Sequence, residues 1–245
     1  NFAKAFDVKY LDAEGKVEHV WATSWGMSTR IIGALIMTHS DDEGLVLPPR
    51  IAGTKCVIVP IWKNDEEMAQ VCAAADGLAA QLRAAIGPVH VDSRDNMRPG
   101  WKYAEWERKG VPLRIELGPR DLAGQQVMMV ARHDRQKQAV GFQQLATAAV
   151  AELERIQQDL FDRALQRRRE RTHVVDSWDA FTALFAGEGG FAECHWCGDG
   201  DCEKQVQEKT KVTIRNLPLV RDETPGSCVH CGKPSLGRGG CAQAT

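Results

Sequence analysis

Apolar and polar positions alternate at the start of the chain. Phe2, Phe6, Val8 and Tyr10 fall roughly on one side of an extended segment, a turn follows at Asp12-Ala13-Glu14-Gly15, and Val17, His19, Val20 and Trp21 resume the pattern, which predicts a β-hairpin. Ser28 to Met37 is long and apolar enough for a buried helix, and Asp41-Asp42-Glu43-Gly44 and then Pro48-Pro49 close that segment. Short apolar runs and helical periods then take turns. Cys56 to Ile61 predicts a strand, Asp65 and Glu66 open a helix with Met68, Val71, Cys72, Leu78, Leu82 and Ile86 on one face, and Gly87-Pro88 stops it. Val89 to Asp92 is the next strand, Trp101 to Lys109 the next helix, and Leu113–Leu117 and Gln126–Ala131 two further strands. Strands interleaved with helices predict the α/β class, a mixed or mostly parallel sheet covered by helices. From Gly141, the spacing of Phe142, Leu145, Val150, Leu153, Ile156, Leu160 and Leu165 predicts a long helix, and Asp176 to Phe185 a short one.

Charge changes this picture little. The 245 residues hold 31 Lys+Arg against 33 Asp+Glu, so the chain does not blanket nucleic acid with positive charge, and any RNA contact has to come from a local basic face. Arg167-Arg168-Arg169-Glu170-Arg171 reads either as a solvated helix end matched to the helix dipole or as such a contact. No apolar run reaches the length of about 18 residues that a membrane helix needs, and no signal-peptide pattern opens the chain, so a cytoplasmic protein without a membrane partner is expected. The first residue is Asn1, not Met, and a piece of a longer protein is expected.

The cysteines add a candidate chemistry. Cys56 and Cys72 stand apart, whereas Cys194, Cys197, Cys202, Cys228, Cys231 and Cys241 crowd the end of the chain, which points to metal rather than to a disulfide framework. Two chelating turns held apart by intervening structure suit tetrahedral zinc. The second turn is Cys228-Val229-His230-Cys231; the first is either Cys194/Cys197 or Cys197/Cys202. Gly198 and Gly232 follow ligand positions, where a small residue lets backbone amides approach thiolates. Four thiolates leave no open position, so a structural role is expected.

Residues 21–50 place Arg30 near the start of an apolar helix after a Trp-Gly turn, an arrangement that suits phosphate, although an arginine there is more often a salt-bridge partner. The wording is more specific. Trp21-Ala22-Thr23-Ser24-Trp25-Gly26-Met27-Ser28-Thr29-Arg30-Ile31-Ile32-Gly33-Ala34-Leu35, with the exit Asp41-Asp42-Glu43-Gly44-Leu45-Val46-Leu47-Pro48-Pro49-Arg50, resembles motif 3 of the prolyl-tRNA synthetases, in the eukaryote/archaeal-like branch with a C-terminal zinc domain. Asn1 to Phe6 resembles the strand after that family's proline-binding loop. Arg94-Asp95-Asn96, Pro99-Gly100-Trp101-Lys102 and the run from Glu105 to Leu122 are similar to its anticodon-binding domain.

The resemblance implies three parts: residues 1–53 as the end of a class II antiparallel catalytic sheet, 54–173 as a five-stranded mixed-sheet anticodon-binding domain, and 174–245 as a small zinc-binding α+β domain. It selects Cys197, Cys202, Cys228 and Cys231 as zinc ligands and leaves Cys194 and Cys241 as extras. It implies that Arg30 binds the ATP triphosphate during prolyl-adenylate formation, that Ser28 contacts ATP, and that Ser24, Trp25 and Gly26 wall the proline and adenylate pocket. Glu107, Arg114 and Arg120 would face the two guanines of the proline anticodon, since a carboxylate accepts from guanine N1 and N2 and a guanidinium donates to O6 and N7; a surface salt-bridge set is the plainer reading of the same three. The implied substrates and partners are ATP with Mg2+, L-proline and tRNA(Pro), in a parent enzyme that forms a homodimer. Motifs 1 and 2 would precede Asn1, so the 245 residues alone are expected to be inactive in proline activation. The chain ends Gly239-Gly240-Cys241-Ala242-Gln243-Ala244-Thr245, without the aromatic terminal residue usual in the family. A stand-alone anticodon-domain module without catalysis, and a glycyl, threonyl or histidyl synthetase, are the alternatives; the complete wording around Arg30 and the Cys-rich end argue against them.

Overall fold

A computed structural model describes residues 2–220 and 224–243. Its centre is a five-stranded sheet in which β3 (Cys56–Pro60), β4 (Val89–Val91) and β5 (Leu113–Leu117) are parallel, and β6 (Gln126–Ala131) and β7 (Lys137–Gly141) run antiparallel, in the order β4-β3-β5-β6-β7. The mixed sheet expected from the interleaved pattern is present. β3 is apolar along its whole length because both faces are covered. Cys56 and Ile58 join a core with α3 (Asp65–Ile86) and α6 (Leu145–Glu170), while Val57 and Val59 pack with Tyr103 and Trp106 of α4 (Pro99–Arg108). The two crossovers leave β3 and β4 for opposite faces because β4 and β5 flank β3 on opposite sides. α3 starts where Asn64 accepts from the Glu67 amide at 2.9 Å, with three acidic residues in its first turn.

A four-stranded sheet of order β10-β11-β9-β8 forms the C-terminal unit, from β8 (Thr172–Val174), β9 (Phe191–His195), β10 (Val212–Asn216) and β11 (Arg238–Gln243). α7 (Trp178–Ala186) lays Phe181 and Phe185 on it, and α8 (Gly200–Thr210) leads into β10. The expected short helix over Asp176 to Phe185 is α7, shifted by a turn's fraction to the Ser177 N-cap. Gly239 to Gln243 of the chain's end lie in β11, between β9 and β10, and Ala244 and Thr245 lie outside the described residues.

The N-terminal segment departs from its pattern in two places. The hairpin exists as β1 (Lys9–Leu11) paired with β2 (Val17–His19), but Phe2 to Phe6, expected as strand, begins instead with the helical turn α1 (Phe2–Ala5); Asn1 lies outside the described residues. Ala3, Lys4 and Ala5 are good helix formers, and the turn brings the Phe2 and Phe6 rings into a stack at 6.3 Å, an i,i+4 pairing that a strand cannot make. α2 (Arg30–His39) forms, but it is not buried as expected: Ile31, Ile32, Ile36 and Met37 are exposed, and α6 meets the helix near its end, where Arg167 Nη2 donates to Thr38 O at 2.6 Å. Apolar composition reports what a helix could bury, not whether a second layer stands beside it.

The chain then crosses onto the central sheet. Leu45 N–H donates to the Arg108 carbonyl at 3.1 Å and Leu47 N–H to that of Gly110 at 3.3 Å, while Val46 enters the main core. Gly44 has φ +140° and Gly110 φ +73°; a Cβ on the first would overlap the Arg108 backbone and one on the second Leu45, so backbone meets backbone at both positions. Asp41 closes the crossing with a bidentate pair to Arg132, at 2.6 and 2.7 Å, and Arg132 Nε donates to the Glu107 carbonyl at 3.0 Å.

Candidate metal centre and nucleic-acid interface

The sulfur atoms of Cys197, Cys202, Cys228 and Cys231 lie within 4.8 Å of one another. Cys202 Sγ is 3.8 Å from Cys228 Sγ and Cys231 Sγ 3.6 Å from Cys197 Sγ. Zinc–thiolate bonds of about 2.3 Å in a tetrahedron require sulfur separations of about 3.8 Å, so the four residues fit Zn2+. Two local devices hold them. Cys197 leaves β9 in a turn, and Cys202 sits in the first turn of α8, whose N-cap Asp199 accepts from the Asp201 amide at 2.9 Å. Cys228 and Cys231 share a tight turn closed by Cys228 N–H to Lys233 O at 2.8 Å and Gly232 N–H to Cys228 O at 3.0 Å. Burial works against ionising Cys228, but backbone amides of Cys231, His230 and Cys197 aim at its sulfur and hold its pKa down to about 7, close to the thiolate a metal needs. The residual ambiguity over the first turn has a spatial answer: Cys194 points away into the sheet core, 3.5 Å from Cys241 Sγ.

His230 belongs to the same neighbourhood, its Nδ1 3.4 Å from Cys202 Sγ and its Nε2 3.1 Å from Lys209 Nζ, with the ring edge-on to Trp178 at 4.7 Å. The only hint of it in the sequence is its place between Cys228 and Cys231. A second cluster, His133, Asp134 and Asp159, is part of an ion-pair network: Arg155 Nη1 lies 2.8 Å from both carboxylates and offsets part of their charge.

Glu107 and Arg114 come together at the C-terminal end of α4 and the middle of β5. The Arg114 guanidinium pairs with Glu107 and with Glu116 (3.0 Å) and lies over the Tyr103 ring at 4.2 Å, leaving Arg114 only 8% exposed. Lys137 reaches Glu116 from β7 at 3.4 Å. Arg120 stands apart from this group. It sits on α5 (Pro119–Ala123), exposed, and its side chain makes no hydrogen bond or ion pair with a described residue. The structure therefore holds one guanidinium in a carboxylate clamp and presents the other free.

Arg30 is the first residue of α2 and is exposed, with Ser28 and Thr29 just ahead of it. Ile31 N–H donates to Ser28 O at 3.1 Å, so the helix entry is formed. Ser24, Trp25 and Gly26 lie in an extended, exposed stretch; Trp25 is 94% exposed and a Cβ on Gly26 would meet nothing within 4 Å. These three form no pocket wall with the described residues around them.

Two family models match the chain: an anticodon binding domain over residues 55–152 and a "Prolyl-tRNA synthetase, C-terminal" domain over residues 178–243. Among curated relatives, the chain is 49% identical over 238 residues to a proline–tRNA ligase of Flavobacterium johnsoniae and 46% identical over 235 residues to one of Porphyromonas gingivalis. A proline–tRNA ligase of Roseiflexus sp. is 44% identical over 236 residues. These alignments cover 95–97% of this chain but 48% of each relative, so the chain spans about half the length of the proteins it matches.

Proposed function

We propose that this chain, which belongs to the prolyl-tRNA synthetase family, supplies the anticodon-reading and zinc-binding parts of a proline–tRNA ligase, together with the arginine that binds ATP. The observation that carries the proposal is similarity along nearly the whole chain to proteins named proline–tRNA ligase, together with the two domains matched on this chain. The reaction activates proline with ATP to prolyl-adenylate, releasing pyrophosphate, and then esterifies the 3′ end of tRNA(Pro), releasing AMP. Its demands on the protein are positioning and neutralisation of phosphate charge, for which Mg2+ and an arginine serve.

The division of labour follows three parts, 1–53, 54–173 and 174–245. In the first, Arg30 binds the triphosphate with Ser28 beside it, and Ser24, Trp25 and Gly26 border proline and the adenylate. In the second, Glu107, Arg114 and Arg120 read the two guanines. The clamp around Arg114 serves this reading: a guanidinium already oriented by two carboxylates and a tyrosine face loses little freedom when it meets a base edge. In the third, Cys197, Cys202, Cys228 and Cys231 hold a structural Zn2+, which supplies cross-linking rather than reaction chemistry. The parent enzyme is a homodimer that works in the cytoplasm, where its thiols stay reduced.

Binding of a labelled RNA hairpin carrying the proline anticodon loop tests the proposal. Arg114→Gln should weaken it by about tenfold or more and reduce discrimination against a hairpin whose two guanines are replaced. Equal binding of both hairpins by the parent chain would overturn the anticodon assignment.

A further inference from the structure

A cavity of about 310 Å³ opens at the carboxyl end of β3, between the segment after it and the loop that joins β4 to α4. The strand order places it at a switch point: β3 has β4 on one side and β5 on the other, and their helices leave toward opposite faces, so the loops part there and leave a crevice. Its volume is at the lower end of small-ligand sites, which start at about 300 Å³. Trp62 provides the one aromatic surface of the lining, Asn96 and Asp95 provide polar edges, and Arg98 and Lys102 provide positive charge.

Lys102 is the unusual member. It is 1% exposed, yet its ammonium has one close acceptor, the Asp92 carbonyl at 3.0 Å; the Asp92 carboxylate is 3.9 Å away. That carboxylate is committed elsewhere, to Arg94 at 2.7 and 2.8 Å and to the Trp106 indole at 2.8 Å. A buried ammonium carries three donors, and leaving them without acceptors is costly. The Lys102 ammonium sits over the Trp62 ring, 4.9 Å from its centre, a cation–π contact on the border of the cavity that leaves its remaining donors without an oxygen acceptor. Arg98 is exposed at the N-cap of the 10-residue helix α4, and neither its side chain nor that of Asn96 makes a hydrogen bond or ion pair with a described residue.

An aromatic face, an uncommitted amide, a buried cation and a free arginine at a helix N-terminus together match the parts of one nucleotide. We propose that this cavity binds a single unstacked nucleotide, its base against Trp62, a base acceptor on the Lys102 ammonium, and its phosphate between Arg98 and the N-terminus of α4. Arg98 and Glu107 are separated by nine residues of α4, roughly 13 Å, so this subsite is distinct from the Glu107–Arg114 clamp. Resting on the tRNA reading above, the nucleotide is a loop neighbour of the two guanines, splayed out of the stack as single-stranded RNA is read. A free mononucleotide offers the same chemistry, and the two sources need separate probes.

The test uses the full chain, the anticodon hairpin with 2-aminopurine placed at successive loop positions, and GMP. One loop position outside the guanine pair should be quenched on binding. Trp62→Leu should abolish that quenching and weaken the hairpin about tenfold, and Arg98→Gln, at an exposed position that leaves the core alone, should weaken it severalfold. If the parent binds the hairpin and Arg98→Gln and Trp62→Leu bind it within twofold with unchanged fluorescence, the cavity is not a nucleotide site although anticodon reading stands. If the parent binds no hairpin, the tRNA reading fails, and GMP then decides: saturable binding lost in Arg98→Gln supports a mononucleotide site, and no binding overturns it.

Discussion

Replacing Asp41 by alanine should destabilise the chain by about 2–3 kcal/mol, and the cost should come from Arg132 rather than from Asp41 itself. The Arg132 side chain is 3% exposed and that of Asp41 40%. Removing the carboxylate strands a buried guanidinium whose remaining acceptor is the Glu107 carbonyl. Breaking a fully buried pair costs about 3–5 kcal/mol and an exposed one about 0–1, and this pair has one member in each setting. Urea unfolding of the parent, Asp41→Ala, Arg132→Met and the double variant measures it. The coupling between the two positions should be about 2 kcal/mol near neutral pH. It should also titrate. The Arg132 hydrogen bonds, opposed by partial burial, hold Asp41 at about 2 against an ordinary 3.8. A carboxylate with a depressed pKa stabilises the fold fully above its unfolded value and loses that contribution as pH falls through the folded one. The coupling should therefore fade between about pH 4 and pH 2. Single effects that add to within about 0.5 kcal/mol at neutral pH would refute the reasoning.

Three further outcomes are expected. Cys228→Ser should drop bound zinc from one ion per chain to a small fraction of that, read by elemental analysis, and chelation of the parent should lower the melting temperature of the C-terminal unit. Gly226→Ala should destabilise that unit by about 1–3 kcal/mol in thermal melts, because the added Cβ would lie within 2.5 Å of three atoms of the His195 ring, itself fixed by Ser235 at 3.0 Å. Phe181→Ala should cost about 3–5 kcal/mol, since the ring is fully buried between Trp178 and Phe185; hydrogen exchange should rise in β9 and β11 and stay unchanged in β3 and β5.

Much of the central unit was legible because its signals are local. Asp65, Glu66 and Gly87 punctuate α3, and the continuous apolar run of β3 reports burial on both faces. α5 and β7 carry no such signal. Lys137–Gly141 reads as polar because it is an edge strand with three of five residues exposed, and α5 is one short turn begun by Pro119. In the C-terminal unit, β11 is Arg-Gly-Gly-Cys-Ala-Gln, a sequence with poor strand propensity that is held by neighbours on both sides. Two candidate residues show the other limit. Spacing alone marks Cys194 and Cys202 equally as the partner of Cys197, and the direction of the Cys194 side chain into the sheet separates them. The buried ammonium of Lys102 has no signature at all, since a lysine at a helix start reads as solvated.

The crossing of Gly44 over the turn at Gly110 has a consequence for spacing. Where two backbones touch, no side chain can be lengthened or shortened to adjust the gap, so the contact acts as a fixed ruler between the strip that leads back to Arg30 and the helix end that bears Glu107. Surface residues on either side can change freely without altering that span. A methyl group at either glycine would lengthen it, and would do so for both ends at once.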